Sequence, residues 1–125
     1  MCLQNVHAPL EAASFWKDEY PQVKYAARLN YMAMVSATDS SVANITDALK
    51  RTGHWDQTLF VWASDNGTPV NVGGSNWPLK GGKGSNWEGG VRTPALVNGG
   101  LLADSQVRRG AREAHSPNTS PLLCQ

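Results

Sequence analysis

Residues able to do chemistry are concentrated between Ser64 and Arg92. The stretch opens with Ser64-Asp65-Asn66-Gly67 and passes through a loop rich in Gly, Asn and Trp. It continues as Trp77-Pro78-Leu79-Lys80-Gly81-Gly82-Lys83-Gly84 and closes with Trp87-Glu88-Gly89-Gly90-Val91-Arg92. A carboxylate next to an amide carbonyl, with glycines that let backbone come close, is a donor set for a hard cation such as Ca²⁺ or Mg²⁺. Lys83, set between glycines, is a mobile positive charge that could reach the same place and hold an oxyanion.

The same residues also have a plainer chemistry. Asp and Asn bond to their own backbone in turns, and Gly accepts positive φ, so Asp65-Asn66-Gly67 is equally a turn after a strand. A glycine-flanked lysine is commonly a solvated loop residue. Two phosphate-binding patterns do not fit. In the P-loop register Trp77 stands at the first glycine and Gly84 at the Ser/Thr position, and no G-x-G-x-x-G lies directly between a strand and a helix.

The elements that must position these residues are few. Thr58-Leu59-Phe60-Val61-Trp62-Ala63 is a short run of apolar, β-branched and aromatic residues, the pattern of a buried strand in a parallel sheet. Asp65 and Asn66 then fall at the carboxyl edge, where ligands of open α/β sheets bind. From Lys24 to Arg51 the period becomes helical, with Tyr31, Met34, Val35, Thr38, Val42, Ile45 and Leu49 on one apolar stripe that expects to pack on the sheet. Lys50 and Arg51 suit the C-terminal dipole, and Gly53 suits the position just past the helix. Thr93–Asn98 predicts a second strand, its early proline tolerated at a strand's start. Residues 1–23 predict a loop, so His7 gains interest only from what it faces in space.

The order helix, strand, loop, strand predicts an α/β fold in which one long amphipathic helix lies against two or three strands. So few strands leave exposed edges and a small core.

Composition narrows the function classes. A chain of 125 residues with net charge +1 predicts one domain or part of one, without long-range attraction to nucleic acid or anionic membranes. No apolar run approaches the ~20 residues of a membrane span, and no signal peptide is visible at the N-terminus. Cys2 and Cys124, at opposite ends, match neither a zinc knuckle nor a C-x-x-C pair and suit unpaired thiols better than a disulfide. Asn44-Ile45-Thr46 and Asn118-Thr119-Ser120 are glycosylation sequons, relevant only on the secretory path.

Several ordered stretches resemble the type I sulfatases, in particular the arylsulfatase B-like branch. They are Leu3–Leu10 (Leu-Gln-Asn-Val-His-Ala-Pro-Leu), Tyr31–Ser36 (Tyr-Met-Ala-Met-Val-Ser), Ser64–Gly67, Asn76–Gly81 (Asn-Trp-Pro-Leu-Lys-Gly) and Trp87–Arg92. The resemblance implies an alkaline-phosphatase-like α/β sandwich that hydrolyses sulfate esters with Ca²⁺ and a formylglycine made from Cys or Ser. It also implies a secreted or lysosomal setting for the family. By position, Asp65 and Asn66 match the metal ligands, Lys83 the lysine on the sulfate group, and His7 the histidine near the leaving oxygen.

The departures are specific. No Cys/Ser-x-Pro-x-Arg nucleophile motif occurs in the 125 residues, and the paired aspartates and Lys-x-His segment of the family are also missing. The expectation is therefore a partial sulfatase catalytic domain over residues 1–112, corresponding to the second half of that domain and completed by an N-terminal half from elsewhere. Residues 113–125 are expected to form a disordered tail.

Overall fold

The structure, a computed structural model, describes residues 1–102. It contains a single-turn helix α1 (Ser14–Lys17), a long helix α2 (Ala26–Arg51), a 3₁₀ turn (Trp55–Gln57), strand β1 (Phe60–Ala63), a short helix α3 (Glu88–Val91) and strand β2 (Ala95–Asn98). The expected α/β character, with one long helix and two strands, is what the chain adopts. The tail at 113–125, with Asn118 and Cys124, lies outside the described residues. Cys2 is an exposed free thiol. Among the described residues no helix is long and apolar enough to cross a membrane.

Helix α2 ends as its sequence dictates. Gly53 takes φ +70°, its N–H bonds to the Lys50 carbonyl at 3.2 Å, and the His54 N–H bonds to the Leu49 carbonyl at 2.9 Å. This pair of bonds is a Schellman motif, which satisfies carbonyls that the last helical turn leaves open. Lys50 and Arg51 add favourable charge at the same end.

Burial on α2 is confined to its middle. Ala33, Met34, Val35, Ser36 and Thr38 are buried, whereas Tyr31, Val42, Ile45 and Leu49 of the apolar stripe are half-buried. The principal packing partners of α2 are α1 and the 3₁₀ turn rather than the strand pair. The N-terminal segment supplies the cover. The Tyr20 and Ser36 hydroxyls share a buried hydrogen bond of 2.6 Å, and the Asn5 amide donates to the Met34 carbonyl at 3.4 Å. The segment read as a loop therefore includes a helical turn, α1, which packs on α2 beside the buried Tyr20. Asn30 Oδ1, on the same helix, is buried without a hydrogen-bond partner among the described residues.

The strands differ from the expected parallel arrangement. β1 pairs antiparallel with β2, with Phe60 opposite Asn98, Val61 opposite Val97, Trp62 opposite Leu96 and Ala63 opposite Ala95. β1 is also buried on one side only: Phe60 and Trp62 are half-buried, while Val61 is exposed. An apolar run reports that a strand wants cover on both faces. It carries no information on the direction of the neighbouring strand, which the path of residues 64–94 decides. The far end of the pair is tied down where the Gly100 N–H bonds to the Trp55 carbonyl at 3.1 Å. A Cβ on Gly99 would run into the Thr58 carbonyl, so that turn requires glycine.

Among the described residues the buried apolar core is Tyr20, Ala33, Met34 and Val35. So small a core cannot enforce all-or-none unfolding. The 125-residue chain is expected to lose its helical circular dichroism gradually with temperature. A sharp sigmoidal melt, coincident between far- and near-ultraviolet signals, would contradict this description.

Candidate functional site

The loop between β1 and β2 is built on backbone contacts. At its neck the Ser64 N–H bonds to the Pro94 carbonyl at 3.2 Å, and the Thr93 hydroxyl donates to the Ser64 carbonyl at 3.0 Å. Inside, three segments meet: residues 67–68, residues 80–83 and residues 89–90. The Gly67 N–H bonds to the Gly90 carbonyl at 3.0 Å, the Gly89 N–H to the Lys80 carbonyl at 2.8 Å and the Lys83 N–H to the Thr68 carbonyl at 3.2 Å.

These glycines serve chain-to-chain approach. A Cβ on Gly67 would strike the Gly89 carbonyl, and one on Gly89 would strike the Gly81 carbonyl. Only chains without side chains can pack at this distance. The glycines expected to admit a ligand thus admit neighbouring backbone instead.

One side chain ties two of these segments, residues 67–68 and 80–83, together. Asn76 Oδ1 accepts from the Thr68 N–H at 3.0 Å, and its Nδ2 donates to the Thr68 carbonyl at 2.7 Å and to the Gly81 carbonyl at 3.0 Å. A carboxamide is the one neutral side-chain group that accepts and donates twice in a plane. Sequence reasoning quoted Asn76 only as part of a motif and assigned it no role. The available signal was an Asn within a glycine-rich loop, which is common and unspecific. Further along, the Lys80 ammonium lies 3.9 Å from the centroid of the Trp87 ring, a cation–π contact that fixes the flank of the Lys83 turn. The loop's outer part docks on α2, where Arg28 Nη1 donates to the Gly73 carbonyl at 3.0 Å.

The two basic candidates come together. His7 Nε2 and Lys83 Nζ lie 3.4 Å apart, although 76 positions separate them in the chain. His7 Nδ1 lies 2.9 Å from the Ala8 carbonyl. A carbonyl only accepts, so Nδ1 carries the proton, and Nε2 presents its lone pair to the lysine ammonium. Both side chains are exposed.

Asp65 and Asn66 stand at the carboxyl end of β1, as their spacing predicts. The Asn66 N–H bonds to Asp65 Oδ1 at 2.9 Å, and the Ser64 hydroxyl donates to the Asn66 carbonyl at 3.0 Å. The side-chain part of the turn chemistry is therefore realised, with one carboxylate oxygen engaged in it, whereas Gly67 does not take positive φ and serves the close approach to Gly89 instead. Among the described residues no group of three or more His, Cys, Asp or Glu side chains converges as a metal cluster. As oxygen donors Asp65 and Asn66 have the chemistry for Ca²⁺, but they would supply only two of the about 6–8 ligands it takes.

The family model described as Sulfatase matches residues 1–115. The chain belongs to the sulfatase family. It is similar to mouse (Mus musculus) arylsulfatase J, 42% identical over 99 residues that cover 79% of this chain and 17% of the relative. Mouse N-acetylgalactosamine-6-sulfatase is 38% identical over 99 residues, covering 76% of this chain and 18% of the relative. Among solved structures, crystal structures of Ps i-CgsB superpose with TM-scores of 0.74 for the protein alone and 0.73 for its complex with k-i-k-neocarrahexaose. Both are 41% identical, and they cover 77% and 75% of this chain respectively and 21% of theirs. The chain thus spans about a fifth of the length of the relatives it matches. Its fold is a small α/β piece of the alkaline-phosphatase-like sulfatase architecture.

The bonding of Asn76 makes a direct prediction for the loop of this sulfatase-family chain. Asn76→Asp removes both Nδ2 donors and sets a carboxylate against two carbonyl oxygens. The Lys83 amide should then exchange with solvent about tenfold faster or more, the equivalent of losing one or two buried hydrogen bonds. Asn86→Asp, at an exposed position in the same loop, should leave the rate unchanged in the same mass-spectrometric exchange measurement.

Proposed function

We propose that this chain is the sulfate-gripping part of a sulfuric ester hydrolase of the arylsulfatase B-like branch. In this reading Lys83 and His7 bind the sulfate group, and Asp65 and Asn66 are part of a Ca²⁺ site. The observation that carries the proposal is the 3.4 Å approach of His7 Nε2 to Lys83 Nζ across 76 positions of sequence. Two basic side chains held side by side, Lys83 from the glycine-rich loop and His7 from the N-terminal segment, make a place for an oxyanion: Lys83 Nζ donates to it, and His7 Nε2 donates as well when it carries a proton. The exposure of the pair leaves room for a substrate rather than marking a structural contact.

Ca²⁺, when bound, would draw charge from the sulfate oxygens as a Lewis acid. The chain's own residues would do the rest. Lys83 holds the sulfate as a point charge, and His7, oriented through its Nδ1–H on the Ala8 carbonyl, faces the oxygen that departs with the alcohol. The saccharide-named relative and the oligosaccharide complex of Ps i-CgsB make sulfate esters of sugars a reasonable substrate class.

A second reading has its own support. Because the 125 residues contain no Cys/Ser-x-Pro-x-Arg motif, Lys83 and His7 have no attacking group to assist. Alone, the chain would then be a non-catalytic binder of metal or sulfated ligand, or a piece that folds against a partner. The two readings agree about the isolated chain: pure 125-residue protein should show no Ca²⁺-dependent turnover of a generic aryl sulfate. Measurable turnover would show that it supplies its own nucleophile.

Calorimetry tests the metal assignment. The chain alone should bind Ca²⁺ weakly, near the millimolar end of the usual range or beyond, and an added N-terminal sulfatase half should tighten binding. Asp65→Ala should abolish that gain by removing a ligand charge. Asp56→Ala, in the exposed 3₁₀ turn before β1, should preserve it. Equal affinities for both variants would reduce Asp65-Asn66-Gly67 to a turn.

A further inference from the structure

Trp77 is the most exposed aromatic side chain among the described residues, at 82% against 63% for Tyr25. Exposure alone means little, since single apolar residues are common on surfaces. The surroundings of Trp77 give it meaning. Its N–H bonds to Ser75 Oγ at 3.3 Å, Pro78 locks the next φ, and the Leu79 N–H closes the turn on the Asn76 carbonyl at 2.7 Å. Asn76 then joins this turn to the one that carries Lys83. Its Nδ2 donates to the Gly81 carbonyl at 3.0 Å and lies so near Gly82 that a Cβ there would strike it. Trp77 and Lys83 are the chain neighbours of that Asn76–Gly82 contact, so both leave one locked loop. The loop's other tryptophan is occupied, because the Lys80 ammonium sits 3.9 Å from the Trp87 ring centroid. Among the described residues no ring or cation is paired with Trp77.

We propose that Trp77 is a specificity residue, a stacking platform for the pyranose ring of a sulfated sugar whose sulfate is held by Lys83 and His7. The inference deepens the sulfate-gripping reading and rests on it. A hexose sulfate has two unlike parts, an anion and a ring that presents a patch of C–H bonds on one face. The His7–Lys83 pair suits the first part. The indole face suits the second: its π-system is negative, the C–H hydrogens are slightly positive, and the contact removes apolar area from water. Tryptophan offers that area on only two χ angles, so little side-chain entropy is lost on stacking. Trp77 acts on the ring and not on the reacting atoms, and so selects among sulfate esters.

The test is a nuclear magnetic resonance titration of the 125-residue chain with galactose 6-sulfate and with methyl sulfate, an ester of the same charge without a ring. The sugar should bind about three- to tenfold more tightly than methyl sulfate, and its ring protons should shift upfield under the indole. Trp77→Ala should remove the extra affinity and the upfield shift together while leaving the affinity for methyl sulfate unchanged. Tyr25→Ala, an exposed aromatic position at the start of α2, should alter neither. Equal affinity of the parent and Trp77→Ala for galactose 6-sulfate would overturn the proposal. So would an equal loss for methyl sulfate, which would make Trp77 a prop for the loop. Lys83→Ala separates the two ideas. If it weakens both esters while Trp77→Ala weakens neither, the platform fails and the sulfate grip stands. If neither ester binds, or Lys83→Ala changes nothing, the sulfate grip fails and the platform fails with it.

Discussion

The Asn76 carboxamide is the contact on which the second half of the structure depends. It bonds Thr68 in both directions and reaches Gly81, so the segment leaving β1 and the segment carrying Lys83 are held as one unit. The close packing of Gly67, Gly81 and Gly89 works only in that register, because it leaves no room for a Cβ. Regular secondary structure contributes little here: α3 is a single turn and each strand is four residues long. A loop of this length keeps its shape when its buried polar groups are paired internally. Asn76 supplies pairs that the irregular backbone could not make for itself.

The frame explains how exposed side chains can hold a defined geometry. His7 and Lys83 are surface residues on loops, where long side chains ordinarily sample many rotamers. Lys83 starts from a backbone N–H pinned to Thr68, and its turn is flanked by the Lys80–Trp87 contact. His7 is oriented by its own neighbour, the Ala8 carbonyl. The segment that carries His7 is anchored in turn by Asn5 on the Met34 carbonyl and by Tyr20 on Ser36. Helix α2 therefore acts as a common support, with the N-terminal segment on its middle and the glycine-rich loop on its first turn through Arg28. By contrast the exposed Glu88–Arg92 ion pair, at 3.4 Å, adds little beyond local helix support.

The elements differ in how readily their residues disclose them. Helix α2 was legible almost to the residue, since its period, its basic last turn and Gly53 are local signals and the Schellman bonds are local too. β1 and β2 were legible as strands from their composition, and Asp65-Asn66 as the residues at a strand's end. The α1 turn, the 3₁₀ turn and α3 were not. Each is a single turn stabilised by what it packs on, and Glu88-Gly89-Gly90-Val91 carries two glycines that intrinsic preference keeps out of helices.

Taken alone, the amino-acid sequence determined the family, the α/β character and the identities of the candidate residues, because these depend on residue type and on ordered motifs. Tertiary structure decided what distance in space decides. It brought His7 to Lys83, turned β1 and β2 antiparallel, put the N-terminal segment rather than the sheet on the middle of α2, and gave the glycines to backbone packing. The physical reason is common to all four. Each is a contact between segments far apart in the chain, and local pattern reports the face an element wants to bury, not the partner that will cover it.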